Sequence, residues 1–208
     1  MNGVGEVYLD PDIVFITLGV RTESEEAGAA MDENNTLSEK VKSALVAAGV
    51  DEKDIQTTSF NVYWNELWND AAQAYTKTYV VENMVSVTIR NFPKLSETLD
   101  AALGAGANSV YNIRLDVADK TEAFAKARTL AVQNAQKQAA ELAVASGVTL
   151  GEIISINSYG GTVVPVSNNY GYGYGGGGGA MESATSVPVS GGQLVLSLTV
   201  NLMYEIEK

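Results

Sequence analysis

The chain has 208 residues, 46% hydrophobic and 18% charged, enough for one large domain or two small ones with a sizeable core. Its formal charge of -12 repels phosphate backbones and anionic lipid surfaces, so nucleic acid is not an expected partner. With no His and no Cys, Ser–His–Asp and Cys–His catalysis and zinc sites of the usual type are excluded.

Residues 3–9 and 13–21 read as two strands joined at Asp10-Pro11-Asp12, with Val14, Ile16, Leu18 and Val20 alternating. Thr22, with Glu25 three positions on, reads as the cap of a helix. Ala27, Ala30, Met31, Asn34, Leu37, Val41, Leu45 and Ala48 then follow helical spacing to a stop at Gly49. Asn34 lies in the apolar row and is expected to be a hydrogen-bonded core or interface group, with a ligand contact as the alternative.

Residues 54–64 and 76–90 are predicted strands, the second with Tyr79, Val81, Val85, Val87 and Ile89 on one face. Residues 65–75 between them read as a loop or an extended hairpin tip. Tyr63, Trp64, Trp68, Tyr75 and Tyr79 gather there. Cross-strand aromatic pairs that stabilise a long hairpin are one reading; an aromatic patch for a partner subunit, a glycan or a lipid interface is the other.

Pro93 opens a short helix with Leu95, Leu99 and Ala102 inward, and residues 108–117 form the next strand. Residues 119–147 make one long helix, roughly 40 Å at 1.5 Å per residue. Alanine recurs in it at 123, 127, 131, 135, 139 and 143, with Asp119 and Glu122 at its start and Gly147 at its stop. That row admits a close-packed backbone, either the chain's own sheet or another subunit meeting Ala131 and Ala135. Residues 152–159 and 193–206 complete the strands; the last alternates from Leu194 to Ile206.

The expected fold class is α+β: a mostly antiparallel or mixed sheet of hairpin-linked strands against two long helices and one short helix. We expect a single domain over 1–208, with 160–192 a flexible Gly/Tyr-rich excursion within it. Gly171, Gly173 and Gly176 satisfy GxGxxG, but no βαβ unit surrounds them, so no dinucleotide is implied. The Asp10 and Asp12 turn and the Glu23, Glu25, Glu26 cluster read as solvated carboxylates without metal-loop spacing. No acid–base carboxylate pair stands out. No catalytic, cofactor or metal residue is therefore assigned; the candidate interaction residues are Trp64, Trp68, Tyr75, Ala131 and Ala135. No apolar run is long enough for a membrane-spanning helix, and MNGVGEVYLD lacks the basic and apolar regions of a leader.

The stretches GVGEVYLDPDIVFITLGV, AAGVDEKDIQTTSF, GANSVYNIRLDVADKTEAFAKARTLAVQNAQKQAAELAVASGVTLGEIISI and VPVSGGQLVLSLTVNLMYEI, in that order, resemble the SIMPL-domain family. The resemblance implies an α+β domain exported to the periplasm or cell surface, its leader removed, whose members assemble into large ring-like oligomers. It implies no catalytic motif and no cofactor, some prominent antigens, and an association with envelope or oxidative stress. The Tyr/Gly-rich excursion looks longer and more repetitive here than the family pattern. A binding module for a glycan, peptide or small molecule, built on the aromatic hairpin, is the alternative reading. A carboxylate-dependent hydrolase is a third.

Overall fold

The computed structural model describes residues 1–69, 73–166 and 191–207. Contacts divide them into two compact units: residues 1–11, 116–166 and 191–207 in the first, and 12–115 in the second. The chain is α+β, and its described strands form two antiparallel sheets.

In the first unit, β1 (Asn2–Leu9), β6 (Thr149–Pro165) and β7 (Leu194–Glu207) form a sheet in the order β1-β7-β6. One helix, α3 (Thr121–Ser146), lies on it. The helix begins two residues after Asp119, whose Oδ1 still accepts the Thr121 N–H at 2.8 Å, and ends on Gly147 in the left-handed conformation (φ 67°). The alanine row is fully internal. Ala127, Ala131 and Ala135 are 0% exposed, facing Leu196, Leu198, Val200 and Leu202 of β7 and the backbone of β1.

The reason for the alanines lies in β1. A Cβ on Gly3 would overlap the backbone of Ala131 and Ala135, and one on Gly5 the backbone of Ala127 and Ala131. Two glycines on one strand face and a row of methyls on the helix thus bring two backbones into direct contact. Val4 N–H, on the outer edge of β1, donates to Asn134 Oδ1 at 3.1 Å, so the helix also covers that edge.

In the second unit, β2 (Ile13–Ser24), β3 (Ile55–Asn69), β4 (Ala74–Ile89) and β5 (Ser109–Asp116) form a sheet in the order β3-β4-β2-β5. Helices α1 (Ala27–Ala47) and α2 (Leu95–Gly104) pack on it over Val14, Ile16, Leu18, Val20, Val87 and Ile89. Asn34 is 0% exposed and donates to the carbonyls of Val20 and Val81, both at 2.9 Å: a core hydrogen-bonding residue that ties α1 to two strands.

Several expectations change. Thr22 does not cap α1; β2 runs on to Ser24, and the Thr22 hydroxyl donates to Ala30 O at 2.7 Å, satisfying it inside the core. β1 and β2, neighbours in sequence, join different sheets, because the break at Pro11 is where the chain passes between units. Residues 65–69 and 74–75 are strand rather than loop, so the extended-tip reading holds for them. Of the Gly/Tyr-rich stretch, 160–165 complete β6, whereas 167–190 lie outside the described residues.

Candidate interaction surfaces

The β3–β4 hairpin outruns its sheet. Pairing between β2 and β4 ends at Ser24↔Tyr79, whereas β3 and β4 stay in register to Asn69↔Ala74. The last five pairs are therefore a two-stranded ribbon about 17 Å long. Such ribbons are marginal unless side chains hold them. Here the directly opposed pairs Trp64↔Tyr79, Glu66↔Lys77 and Trp68↔Tyr75 share one face. The Trp68 and Tyr75 rings meet edge to face at 5.2 Å and 72°. Lys77 Nζ sits 4.7 Å from the Trp64 ring centre and 4.8 Å from that of Tyr79.

These side chains stabilise the ribbon without being buried in it. Trp64 is 52% exposed, Trp68 50% and Tyr75 69%. Phe60 and Val62 continue the stripe on β3, both exposed. At the base of the ribbon the opposite face carries polar contacts beside the buried Val80. Tyr63 donates to Glu82 Oε1 at 3.0 Å, and Arg21 pairs with Glu23 and with Glu82. A hydrogen bond between Arg21 and Tyr63 is the main cause that raises the Arg21 pKa above its ordinary value, against a lowering by burial and with a smaller contribution from the Glu23 charge. Polar contacts thus tie β2, β3 and β4 together at the base of the ribbon, and the ribbon itself offers aromatic surface on one face.

The first unit carries an apolar groove. A helix about 10 Å across cannot cover three strands spaced nearly 5 Å apart, and the glycines hold α3 over β1 and β7. The β6 side is left open: Ile153 is 40% and Ile156 61% exposed, as is Ile206 at 66% near the end of β7. Beside the C-terminal half of α3 this leaves a concavity of about 330 Å³, lined by Leu142, Ala143, Leu150, Leu202, Tyr204 and Ile206. Glu141, one residue before Leu142 on α3, lies 3.9 Å from Lys137 Nζ. Sequence periodicity gave no sign of this groove, because it arises from what α3 fails to cover.

The candidate residues fall into two sets. Trp64, Trp68 and Tyr75 come together on the hairpin face. Ala131 and Ala135 lie in the other unit, buried under β1, and their close contact is made within the chain. Among the described residues no group of three or more acidic side chains is arranged to hold a metal, and no helix is long and apolar enough to cross a membrane.

Two antiparallel sheets with helices packed on them, one sheet extended by an exposed aromatic ribbon, define an α+β protein with large surface features. The chain belongs to the SIMPL family, whose model, described as a protein of unknown function (DUF541), matches residues 1–204. It is 26% identical to the 26 kDa periplasmic immunogenic protein of Brucella melitensis biotype 1, over the whole of this chain and 84% of that protein. The protein of the same name from Brucella abortus matches equally, at 26% over the same shares. It is 30% identical to the uncharacterized protein YggE of Escherichia coli K12, over 74% of this chain and 63% of that one. These relatives carry no enzyme name.

Proposed function

We propose that the chain is a non-enzymatic envelope protein, resident in the periplasm or at the cell surface, that works by assembling with copies of itself. The printed names of the Brucella relatives support the location. The observation that carries the assembly reading is the aromatic face of the hairpin. Its rings are half or more exposed on a ribbon held by its own cross-strand pairs, so they present aromatic surface outward. Light scattering after size-exclusion chromatography tests it. A mass that is a multiple of 22.0 kDa is expected; a strict monomer at micromolar concentration overturns it.

A binding module for a glycan, peptide or small molecule is the second reading, favoured by the cation set against Trp64 and Tyr79. Trp64→Ala with Trp68→Ala then abolishes ligand binding in a chain that is monomeric and still folded. If that double variant unfolds, the aromatics act as core. The stress association implied by the family resemblance is read from growth of a deletion strain under peroxide, where unchanged survival counts against it.

A further inference from the structure

The sheet of the second unit carries a cavity of about 410 Å³ on the face turned away from α1 and α2, within the roughly 300–1,000 Å³ of small-molecule clefts. Strand alternation builds it. Val14, Ile16, Leu18 and Val20 point into the core, so Thr17 and Gly19 point out, opposite Ser86 and Met84. Ser59 and Asn61 face out beside Met84 and Glu82. A Cβ on Gly19 would come within 2.7 Å of Met84 Sδ, so the thioether lies against the glycine as an apolar floor. The last wall is β5, and it takes a bulge to supply it. Val110 and Leu115 both pack on the core, although regular alternation over five positions would put them on opposite faces. Asn112, at φ 52°, is the extra residue that restores the count. Tyr111, 57% exposed, therefore faces the cavity, and Arg114 returns to the same face over the Phe15 ring at 4.7 Å.

The lining selects a ligand by its chemistry. Thr17, Ser59, Ser86, Asn61 and Asn112 bring hydroxyls and amides, groups that both donate and accept. Part of this is set before any ligand arrives: Asn61 Nδ2 donates to Ser59 Oγ at 2.8 Å, and Tyr63 donates to Glu82 Oε1 at 3.0 Å. Among the described residues that line the cavity Glu82 alone is charged, and Arg21 Nε stands 3.3 Å from its Oε1. A cation therefore meets a carboxylate already answered. An anion meets no spare positive charge, since Arg21 also pairs with Glu23. A purely apolar ligand would cut the hydroxyls off from water without replacing it. What fits is a neutral molecule with many hydroxyls and one apolar face. We propose that this cavity binds a short neutral saccharide, a sugar ring stacked on Tyr111 and its hydroxyls shared among Thr17, Ser86 and Asn61. The site is separate from the aromatic hairpin and does not depend on self-assembly.

Ligand-observed NMR titration of the full chain with maltose, cellobiose and N,N′-diacetylchitobiose tests it. At least one of these disaccharides is expected to bind with a Kd of about 1 mM or tighter. Tyr111→Ala is expected to weaken that binding about tenfold or more. Thr17→Val with Ser86→Ala, which removes two hydroxyls at nearly constant shape, should do the same. Trp64→Ala with Trp68→Ala, on the hairpin, should leave it unchanged. Circular dichroism establishes that each variant is folded; the Thr17 and Ser86 variant decides where Tyr111→Ala is not. No saturable binding of any of the three up to about 20 mM overturns the site. So does binding that survives both cavity variants, or binding lost only with the hairpin tryptophans, which would move the saccharide to the hairpin.

Discussion

Asn34 donates both amide protons to strand carbonyls, and this sets the direction of every hydrogen bond beyond it. Its Oδ1 must accept, so the Ser38 hydroxyl donates to it at 3.3 Å. Ser38 then has only acceptor capacity left, so Asn83 Nδ2 donates to it at 3.2 Å, and Asn83 Oδ1 is left buried with no partner. The two asparagines should therefore respond unequally. Asn34→Ala strands two carbonyls and a hydroxyl and is expected to cost about 2–4 kcal/mol, whereas Asn83→Ala also removes an unmet acceptor and should cost less than about 1 kcal/mol. Urea unfolding at constant m-value checks both.

Asp54 provides the pH test at this scale. Arg90 donates to both its carboxylate oxygens, at 2.6 and 2.7 Å. Those hydrogen bonds hold Asp54 below the usual carboxylate range, against an upward effect of burial and with a lesser contribution from the Arg90 charge. A folded-state pKa below the unfolded one adds stability above the unfolded value of about 3.9, and the gain is lost as pH falls through the folded value. Asp54→Asn should thus destabilise the chain at neutral pH and make progressively less difference below about pH 4. A deficit independent of pH would show that the pair does not act through ionisation.

Among elements, the seam of α3 on β1 decides most. Ala131→Leu or Ala135→Leu drives a large side chain into a contact with no room for a Cβ at the facing Gly3 or Gly5, and should lower stability by about 3 kcal/mol or more. Gly3→Ala and Gly5→Ala meet helix backbone and should cost a similar amount. Gly28→Ala, with nothing within 4 Å of its Cβ, should stabilise α1 by about 0.5–1 kcal/mol. Melting curves of the set separate these signs. The seam also shows how far the sequence was legible. The alanine spacing gave the helix and its buried face, because a 3.6-residue period survives within one local stretch. It left open which backbone lies against that face, since Gly3 and Gly5 are more than a hundred residues away. The extension of β3 and β4 past 64 and 76 was likewise half hidden. Its support is cross-strand pairing of aromatics, which appears only once the register is known. The groove was not legible at all: Leu142, Leu150 and Ile206 are ordinary apolar positions until the C-terminal half of α3 is seen to leave them uncovered.

For the whole molecule, the N- and C-terminal strands pair over Asn2↔Asn201 to Leu9↔Leu194, so both ends of the described chain belong to the first unit, and the second is inserted between residues 11 and 116. Each copy carries a formal charge of -12, and copies that assemble through apolar contacts must do so against that repulsion. At about 10 mM salt the Debye length is roughly 30 Å, so charges across a whole neighbouring copy are felt; at about 150 mM it is near 8 Å and only charges at the contact matter. Raising salt between those limits should therefore strengthen association severalfold, read as a shift to larger species in sedimentation velocity at fixed protein concentration. Association that weakens instead would mean ion pairs hold the copies together, and the aromatic hairpin would no longer explain assembly.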